Sequence, residues 1–541
     1  MIDFTDTLYI LYGSRSGNSK AVAILAGEYA THLGLKVICE SMDSFDFDRF
    51  KSIKNLLVAV STHGEGEPPV PAEDFHAFIH GDKGSALLQM KYAVVGLGDS
   101  SYRYFCQTGD DIDKQLAKLG GHRQVDLVKC DIDFEEKSKA WIKTAVDHFA
   151  KILPVKEGKK KEPFVFELKL DDHLESNAYK ATVLNRVLLN GESATHPTMH
   201  LTLSLKDSGL AIHPGDTVGV YASNSRLLVD RLLKQLNFDP TYSIQSGDRQ
   251  LMLKEVLINQ FELTVLTPVV VRKYAELSGN TDLRALIENK PRLAAFIEQG
   301  DVLDMVSEYP GEFSEEAFLG VLRKLMPRYY SAASYQSDQP DEVDLTVRII
   351  NYKRNNRQHE GVCSSFIWRR VEPGEKVPVF IETNERFRLP ENKEQSVIMI
   401  SSGTGIAPFR SFLQYREEQA AYGNSWLFFG ERNSQTDFFY KDELQNYLAT
   451  GVLERLDTAF SRDQEQKHYI YHKLLEQGQE VFQWIEKGAH VYICGNKATM
   501  ANDVKKALCD LMRMNGGMTQ DDAEAYLEKM RTERRFCEDI Y

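Results

Sequence analysis

Cysteine is scarce in this 541-residue sequence, and no two cysteines form a CxxC pair. The seven thiols are widely spaced, at Cys39, Cys106, Cys130, Cys363, Cys494, Cys509 and Cys537. An odd number of isolated cysteines argues against a disulfide framework, a zinc ribbon and an iron–sulfur site. We therefore expect reduced thiols in a cytosolic protein, and no residue is a candidate metal ligand.

Long apolar runs and an excess of positive charge are also missing. No apolar segment approaches the roughly 20 residues that cross a bilayer, and no signal peptide precedes the first predicted strand. The formal net charge is −14, which disfavours nucleic acid as a partner and favours docking to a basic protein. The sequence predicts a cytoplasmic protein, and any membrane anchor would have to come from a partner.

The length predicts three or four domains, and the first 150 residues alternate strand and helix. Apolar runs predict strands at Leu8–Leu11, Val37–Cys39, Leu56–Val60, Tyr92–Val95 and Val125–Val128. Helical patterns separate them at Lys20–Leu33, Glu73–Ile79, Ile112–Leu119 and Lys137–Phe149. This alternation is typical of a doubly wound parallel sheet, which binds ligands beyond the carboxyl ends of its strands.

A loop rich in serine and glycine follows the first predicted strand and leads directly into a helix. Its residues are Ser14, Arg15, Ser16, Gly17, Asn18 and Ser19. Hydroxyls and backbone N–H groups at a helix N-terminus can surround a phosphate. The loop has no GK[ST], so it is not a nucleoside-triphosphate loop. An ordinary turn with a helix cap is the alternative interpretation.

Two further loops follow the third and fourth predicted strands at the same edge of the sheet. The first contains Ser61, Thr62, His63 and Gly64. The second contains Leu97, Gly98, Asp99, Ser100, Ser101, Tyr102, Arg103, Tyr104, Phe105 and Cys106. Glycines allow a flat ring to approach the backbone, and aromatics can stack on it. Together the three loops resemble those of flavodoxin-like FMN domains, which implies that they bind the FMN phosphate and isoalloxazine.

The middle of the chain is mixed in character. Residues 151–163 are lysine-rich and flanked by prolines, which indicates a hinge linker. Strand-like alternation in 164–224 and again in 315–390 predicts a β-barrel, and 225–314 predicts a helical insert within it.

Two motifs in the second part of the barrel suit a nucleotide. In Arg328, Tyr329, Tyr330 and Ser331, a guanidinium and an aromatic two residues apart share one face of a strand. A second motif, Gly361, Val362, Cys363 and Ser364, opens a predicted helix. The pair resembles the FAD signature of the ferredoxin–NADP reductase family. That resemblance also assigns to the FAD site Thr264, Thr346, Val347, Arg348 and Tyr352.

The pattern of residues 391–541 predicts a second α/β domain, which we expect to bind NADP(H). Gly403 and Thr404 lie in a glycine-rich turn after a strand, a position that suits a nucleotide. A hydroxyl, a guanidinium, an ammonium and a phenol form a candidate pocket for a 2′-phosphate, from Ser461, Arg462, Lys467 and Tyr469. A solvated charged loop is the alternative. The family resemblance implies that the nucleotide site also includes His468, Ile470, Tyr471 and Asp503.

The order of these segments resembles the diflavin reductase family, and within it the flavoproteins of NADPH–sulfite reductase. The supporting motifs are STHGEGEPP, GLGDSSY, SSGTGIAPFR, WLFFGER, SRDQ and the final EDIY. The resemblance implies an α/β multidomain fold and electron transfer from NADPH to FAD, to FMN and then to a separate siroheme and iron–sulfur hemoprotein that reduces sulfite to sulfide. Another acceptor, such as a cytochrome, is the alternative.

The resemblance also implies which residues assist hydride transfer. They are Ser331, Cys494 and Asp539, with Tyr541 covering the FAD ring. The residues alone leave Cys494 open to a second interpretation, because a thiol on a predicted strand is commonly a buried core residue.

Overall fold

The computed structural model describes residues 4–14, 17–62, 66–81, 87–100, 102, 104–155, 163–168, 178–246, 249–335, 341–421, 424–496 and 500–541. The chain divides into two compact units. The first comprises Met1–Leu174, Gln235–Ile244 and Phe261–Lys324. The second comprises Glu175–Lys234, Gln245–Gln260 and Leu325–Tyr541.

A five-stranded parallel sheet forms the centre of the first unit. Its strands are β1 (Thr7–Gly13), β2 (Lys36–Ser41), β3 (Asn55–Ser61), β4 (Lys91–Leu97) and β5 (His122–Cys130). They lie in the order β2-β1-β3-β4-β5, and the pairs described are parallel. The order reverses beside β1, which is the switch point of a flavodoxin-like doubly wound sheet. The predicted sheet is confirmed.

Helices cover both faces of this sheet because side chains alternate along each buried strand. The helices are α1 (Asn18–His32), α2 (Val70–His80), α3 (Gln107–Lys118) and α4 (Glu135–Ile152). Leu8 and Ile10 pack into one apolar cluster with α1 and α4. Tyr9 and Leu11 pack into a second cluster on the opposite face. Because α4 continues to Ile152, the predicted hinge 151–163 begins within a helix, and its residues 156–162 lie outside the described part of the chain.

The helical segment Phe261–Lys324 completes the first unit. Two further helices, at Arg226–Leu236 and Leu253–Asn259, precede this segment in the chain. The helices of 225–319 are α5 (Arg226–Leu236), α6 (Leu253–Asn259), α7 (Pro268–Ser278), α8 (Thr281–Glu288), α9 (Lys290–Gln299), α10 (Val302–Glu308) and α11 (Glu315–Leu319). The short strands β9 (Ser243–Ser246) and β10 (Arg249–Met252) lie between α5 and α6. Within the first unit, Lys273 pairs with Asp133 at 2.9 Å and Lys324 pairs with Glu135 at 2.7 Å.

An antiparallel barrel forms the first part of the second unit. Its strands are β6 (Tyr179–Leu188), β7 (Thr198–Ser204), β8 (Thr217–Val220), β11 (Arg328–Ser331), β12 (Glu342–Arg348) and β15 (Lys376–Glu382), in the order β11-β8-β15-β6-β7-β12. A bridge between Ala332 and Leu345 joins the two edges and closes the barrel. The hairpin β13 (Asn351–Arg354) and β14 (Arg357–Glu360) leads into α12 (Val362–Arg370). The predicted β-barrel is confirmed.

A second parallel sheet lies in the C-terminal part of the second unit. Its strands are β16 (Val397–Ser402), β17 (Ser425–Glu431), β18 (Arg455–Phe460), β19 (His490–Gly495) and β20 (Phe536–Ile540), in the order β18-β17-β16-β19-β20. The helices are α13 (Ala407–Glu418), α14 (Lys441–Thr450), α15 (Ile470–Glu476), α16 (Gly478–Glu486), α17 (Asn502–Gly516) and α18 (Gln520–Thr532). The predicted nucleotide-binding fold is confirmed. The final residues form an edge strand, which the sequence analysis did not predict.

Candidate flavin and nucleotide sites

The three loops predicted to bind FMN meet at one edge of the first sheet. Because β1, β3 and β4 are parallel, their carboxyl ends lie side by side. Two hydrogen bonds join the loops directly: the Ser61 hydroxyl donates to the Gly13 carbonyl at 3.4 Å, and the Thr62 N–H donates to the Leu97 carbonyl at 2.9 Å. The described residues of the three loops therefore lie side by side along this edge.

The described residues of the first of these loops lie at the N-terminus of α1. Gly17 adopts φ 82° immediately before α1, a left-handed conformation that favours glycine. The Ser19 N–H donates to the Ser14 hydroxyl at 3.2 Å, so Ser14, which follows β1, lies beside the start of α1, whose first residue is Asn18. The N-terminus of this 15-residue helix attracts an anion. Arg15 and Ser16 lie outside the described residues.

Exposed aromatic rings mark the place where a flat ring can stack. Tyr102 is 44% exposed and Tyr104 is 40% exposed, although large aromatic side chains are usually buried. A Cβ atom at Gly66, which has φ +109°, would lie 2.7 Å from the Tyr104 Cβ. The preceding loop therefore approaches Tyr104 more closely than another residue type would allow. His63, Gly64, Ser101 and Arg103 lie outside the described residues.

Other residues of the third loop support it from the core. The Cys106 thiol is buried and donates to the carbonyls of Gly96 at 3.4 Å and Cys130 at 3.5 Å. Burial raises the pKa of this thiol well above its usual range. Leu97 is also buried, and the Ser100 N–H donates to Asp131 at 3.0 Å. We expect Cys106 and Leu97 to contact a flavin only through their backbones.

Asp99 in the same loop forms an ion pair that the sequence did not predict. Its carboxylate lies 2.6 Å from the Arg323 guanidinium, which follows the helical segment in the chain. Gly98 donates its N–H to the Cys130 carbonyl at 3.0 Å, and Phe105 is half-buried beside it. No local sequence pattern links residues more than two hundred positions apart, so the pair is visible only in the folded chain.

The FAD signature of the barrel is assembled at the start of α12. Gly361 is the residue before this nine-residue helix, and Val362, Cys363 and Ser364 are buried in its first turn. The Ser364 hydroxyl accepts the Ile350 N–H at 3.1 Å. The free N–H groups of the first turn form a site suited to a pyrophosphate.

The strand β11 places its signature residues in two environments. Tyr329 is 48% exposed and can offer a ring face. Burial, and then contact with Cys363, raise the pKa of the Tyr330 phenol well above its usual range, so this hydroxyl stays protonated. The Arg328 guanidinium donates to the Met326 carbonyl at 2.7 Å.

The remaining residues assigned to FAD lie on several different elements. Tyr352 is 36% exposed and stacks on His359 with ring centroids 5.0 Å apart. Thr346 is buried and its hydroxyl lies 2.7 Å from that of Tyr440, and Val347 is fully buried. We expect the last two to reach a cofactor only through their backbones. Thr264 lies in the first unit, where its hydroxyl donates to Glu262 at 2.7 Å.

Two of the predicted catalytic side chains donate to the carboxylate of a third, Asp539. The Ser331 hydroxyl donates to Asp539 Oδ2 at 2.6 Å, and the Cys494 thiol donates to the same oxygen at 3.8 Å. Parallel pairing of β19 with β20 sets Cys494 directly opposite Asp539. Burial, and then Asp539, raise the pKa of the Cys494 thiol well above its usual range. The thiol is therefore a neutral donor.

Tyr541 is held beside this cluster by contacts at both ends of the residue. Its N–H donates to the Gly495 carbonyl at 3.2 Å, and its hydroxyl lies 2.5 Å from the Thr404 hydroxyl. The side chain remains 47% exposed. A Cβ atom at Gly405 would lie 2.1 Å from the Cys494 carbonyl, so the turn after β16 approaches β19 through a glycine.

An ion pair between Arg348 and Glu431 lies beside Gly403, in the turn that follows β16. Arg348 lies 3.1 Å from Glu431, which ends β17. A Cβ atom at Gly403 would lie 3.0 Å from the Glu431 carboxylate and 3.2 Å from the Arg348 guanidinium. Burial raises the pKa of Glu431, and Arg348 opposes this effect. Arg348 is the last residue of β12, and no sequence pattern identified Glu431 as its partner.

The residues predicted to hold the 2′-phosphate follow β18. Ser461 is buried, Arg462 and Lys467 are exposed, and Tyr469 is 40% exposed and stacks on Tyr471. His468 instead pairs with Glu476 at 2.8 Å. The Ile470 side chain is buried in the core, and Asp503 helps to raise the pKa of Tyr471, after burial. Exposed cationic and phenolic groups in one loop fit a phosphate.

Three family models together match most of the chain. The flavodoxin family model matches residues 10–141. The FAD-binding domain model matches 171–289 and 296–366, and the oxidoreductase NAD-binding domain model matches 399–506.

Full-length relatives agree with these matches. The sulfite reductase [NADPH] flavoprotein alpha-component of Bacillus subtilis is 42% identical over 541 residues, which is 98% of this chain and 89% of the relative. Proteins of the same name from Shewanella oneidensis and Vibrio parahaemolyticus are 39% and 38% identical, over 99% of this chain and over 90% and 86% of the relatives.

The chain belongs to the family of sulfite reductase [NADPH] flavoprotein alpha-components.

As a member of this family, the chain is an NADPH-dependent flavoprotein reductase. Its cofactors are FMN, FAD and NADPH. Electrons pass from NADPH through FAD and FMN to a partner. The predicted cofactors and the predicted enzyme class are confirmed. No helix in the described part of the chain has both the length and the apolar composition needed to span a membrane.

Proposed function

We propose that this chain supplies electrons, in the cytoplasm, to a separate siroheme and iron–sulfur hemoprotein that reduces sulfite to sulfide. The observation that carries the proposal is the full-length similarity to alpha-components from several bacteria. The word alpha-component describes those relatives as parts of a larger enzyme. The net charge of −14 supports docking to a basic surface of such a partner.

The residues that converge on Asp539 are proposed to assist the first step. When bound, NADPH supplies a hydride to FAD, and the two flavins convert the electron pair into single electrons. Ser331 and Cys494 both donate to Asp539, so its carboxylate is fixed in position and partly screened. Such a network orients reacting groups and stabilises developing charge. Tyr541, fixed by Thr404, is proposed to cover the FAD ring until the nicotinamide replaces it.

The site residues predicted from the sequence are retained as our assignment for the three cofactors. The loop edge of the first sheet supports FMN binding, because a helix N-terminus and two exposed tyrosines lie together there. The start of α12 supports FAD binding. Arg462 and its neighbours support binding of the 2′-phosphate. The division into an FMN domain, hinge, barrel with insert and NADP(H) domain is retained with the same boundaries.

Two measurements on the purified, cofactor-replete protein test the function. Anaerobic addition of NADPH should bleach the flavin absorbance, and addition of the hemoprotein with sulfite should then yield sulfide. A variant with Asp539→Asn should bleach more slowly, with unchanged flavin content as its control. Bleaching without sulfide, together with rapid reduction of a cytochrome, would contradict the proposed acceptor and favour the alternative.

A further inference from the structure

A histidine that no motif identified lies beside the arginines of the nucleotide domain. His196 is half-buried in the loop between β6 and β7. Its Nδ1 lies 2.8 Å from the Thr195 hydroxyl, and that hydroxyl lies 3.5 Å from the Arg432 guanidinium. The loop therefore brings a titratable ring to the end of β17.

Hydrogen bonds attach this loop to the nucleotide domain. Asn190 donates to Asp437 at 2.7 Å, and the Gly191 N–H donates to the Thr436 carbonyl at 2.9 Å. Asp437 is buried, and it also accepts the Asn433 N–H at 3.2 Å. The loop position is thus fixed relative to the residues that follow β17.

The ends of β17 and β18 are joined in the same place. The Ser461 N–H donates to the Glu431 carbonyl at 2.9 Å, and the Arg462 N–H donates to the Arg432 carbonyl at 2.8 Å. The loop of His196, the end of β17 and the predicted 2′-phosphate loop therefore lie next to one another. Arg432 occupies the middle of this arrangement.

The charges around His196 are mainly positive. The groups that act on the ring are Arg432, Arg348 and Arg462, which disfavour its protonation, and Asp437, which favours it. Burial, followed by these arginines, lowers the pKa of His196 below its usual value. Three guanidinium groups around one imidazole form an environment that an anion would stabilise.

We propose that His196 is part of the NADP(H) site, where it contacts a phosphate of the dinucleotide and takes up a proton when the dinucleotide binds. This inference deepens the NADP(H) assignment made above and rests on it. A phosphate dianion favours the imidazolium form, because an opposite charge nearby raises the pKa of a base. In the free protein, burial and then the three arginines lower the pKa of the ring, which disfavours its protonated form. Binding therefore becomes tighter as the pH falls.

Calorimetry with NADP⁺ and the oxidised holoenzyme tests this inference without turnover. Titration in two buffers of different ionisation enthalpy measures the protons taken up on binding. We expect proton uptake by the natural chain and its loss in His196→Gln. At pH 6 this variant should bind NADP⁺ roughly tenfold more weakly, and at pH 8.5 the difference should fall below about twofold, because the natural ring is then neutral.

A second variant separates charge from folding. His196→Arg carries a permanent cation, so its affinity should not depend on protonation at this position and should exceed that of the natural chain at pH 8.5. His213→Gln, which changes an exposed ring in the same unit, should behave as the natural chain does. Equal proton uptake in the natural chain and in His196→Gln would overturn the inference.

NAD⁺, which lacks the 2′-phosphate, distinguishes the two possible phosphate sources. If His196→Gln weakens only NADP⁺, the ring contacts the 2′-phosphate, and if it weakens both dinucleotides, the ring contacts the pyrophosphate. If His196→Gln weakens the binding of neither dinucleotide, the inference is overturned. Failure here would leave the bleaching of the flavins by NADPH intact, whereas failure of the proposed function would appear as absent sulfide with normal dinucleotide binding.

Discussion

Asp539 is the residue at which distant parts of the sequence meet, since Ser331 and Cys494 both donate to it. The sequence favoured two interpretations of Cys494, a core thiol or a catalytic one. The side chain is fully buried, as a core thiol would be, and it also donates to Asp539, while its catalytic role stays a prediction. Burial in this case supplies a neutral donor rather than a reactive thiolate.

Replacement of Cys494 tests this role. Cys494→Ala should slow flavin reduction by NADPH about tenfold or more, because Asp539 loses a donor. Cys494→Ser retains a donor and should be less affected. Since the pKa of the thiol is raised well above 9, the natural rate should show no thiol ionisation between about pH 6 and 9. Stopped-flow absorbance gives these rates, and a thiol titration within that range would contradict the assignment.

Tyr541 is expected to control which dinucleotide reacts. In Tyr541→Ala the nicotinamide no longer has to displace a stacked ring, so NADH should become a better donor. The ratio of kcat/KM for NADPH to that for NADH should fall roughly threefold to tenfold, which corresponds to a typical stacking energy. Tyr541→Phe keeps the ring, loses the contact with Thr404 and should preserve most of the discrimination. An unchanged ratio in Tyr541→Ala would count against the covering role.

Arg462 should discriminate between the same two dinucleotides by charge. Arg462→Ala is expected to weaken NADPH by roughly tenfold or more and NADH by less than about twofold, because only NADPH carries a 2′-phosphate. Steady-state KM values for both donors measure the effect. Arg513→Ala, an exposed arginine on α17, serves as the control. Equal weakening of both donors would show that Arg462 does not contact the 2′-phosphate.

Elements of the barrel and of the nucleotide domain are joined by a half-buried polar cluster around Asp344. This carboxylate accepts from Arg410 at 2.8 Å and from Thr202 at 2.7 Å, and it lies 3.3 Å from His200. Arg410 lies in α13, and its guanidinium also pairs with the Glu443 carboxylate of α14 at 2.9 Å. The cluster fixes β12 against these helices, and no sequence motif marks it.

Loss of this carboxylate should destabilise the second unit. Asp344→Asn leaves Arg410 paired with Glu443 but removes the charged acceptor of Arg410 and Thr202, at a cost of about 2 kcal/mol in the free energy of unfolding, as is typical of hydrogen bonds to a charged group. Asp230→Asn removes the partner of Lys254 in an exposed pair and should cost less than about 1 kcal/mol. Urea unfolding of the holoenzyme gives both values. Equal losses of unfolding free energy in the two variants would show that the Asp344 cluster stabilises the fold no more than an exposed ion pair does.

The same cluster should give stability a defined dependence on pH. Burial alone would raise the pKa of Asp344, but His200, Arg410 and Thr202 lower it to about 2. A carboxyl with a lowered pKa stabilises the fold above its unfolded value of about 3.9. That contribution is lost as the pH falls through about 2. The stability difference between the natural chain and Asp344→Asn should therefore shrink in acid, and a constant difference from pH 7 to pH 2 would contradict it.

At the scale of the whole molecule, an acidic surface should govern encounters with the partner. With a net charge of −14, association with a basic surface is accelerated by long-range attraction that salt screens. Sulfide production with the hemoprotein should therefore slow several-fold between about 0.05 and 0.5 M salt. Flavin bleaching at saturating NADPH is the internal control and should change little. A rate that rises with salt would exclude a basic docking surface.

The sequence by itself determined the order of the folds and the cofactor classes. Apolar strands with a period of two and glycine-rich loops after them are local features, so they can be read without knowing what packs where. For the same reason the FMN loops were assigned to one sheet edge, because the carboxyl ends of parallel strands necessarily share an edge.

Only the tertiary structure decided the contacts between distant residues. The last residues form β20, and its pairing with β19 is what carries Asp539 to Cys494. The pairs Asp99–Arg323 and Arg348–Glu431, the Asp344 cluster and the position of His196 beside Arg432 have no sequence signature. Each of these contacts joins segments that are far apart in the sequence and become neighbours only when the chain folds. Such contacts depend on packing geometry rather than on any local sequence pattern.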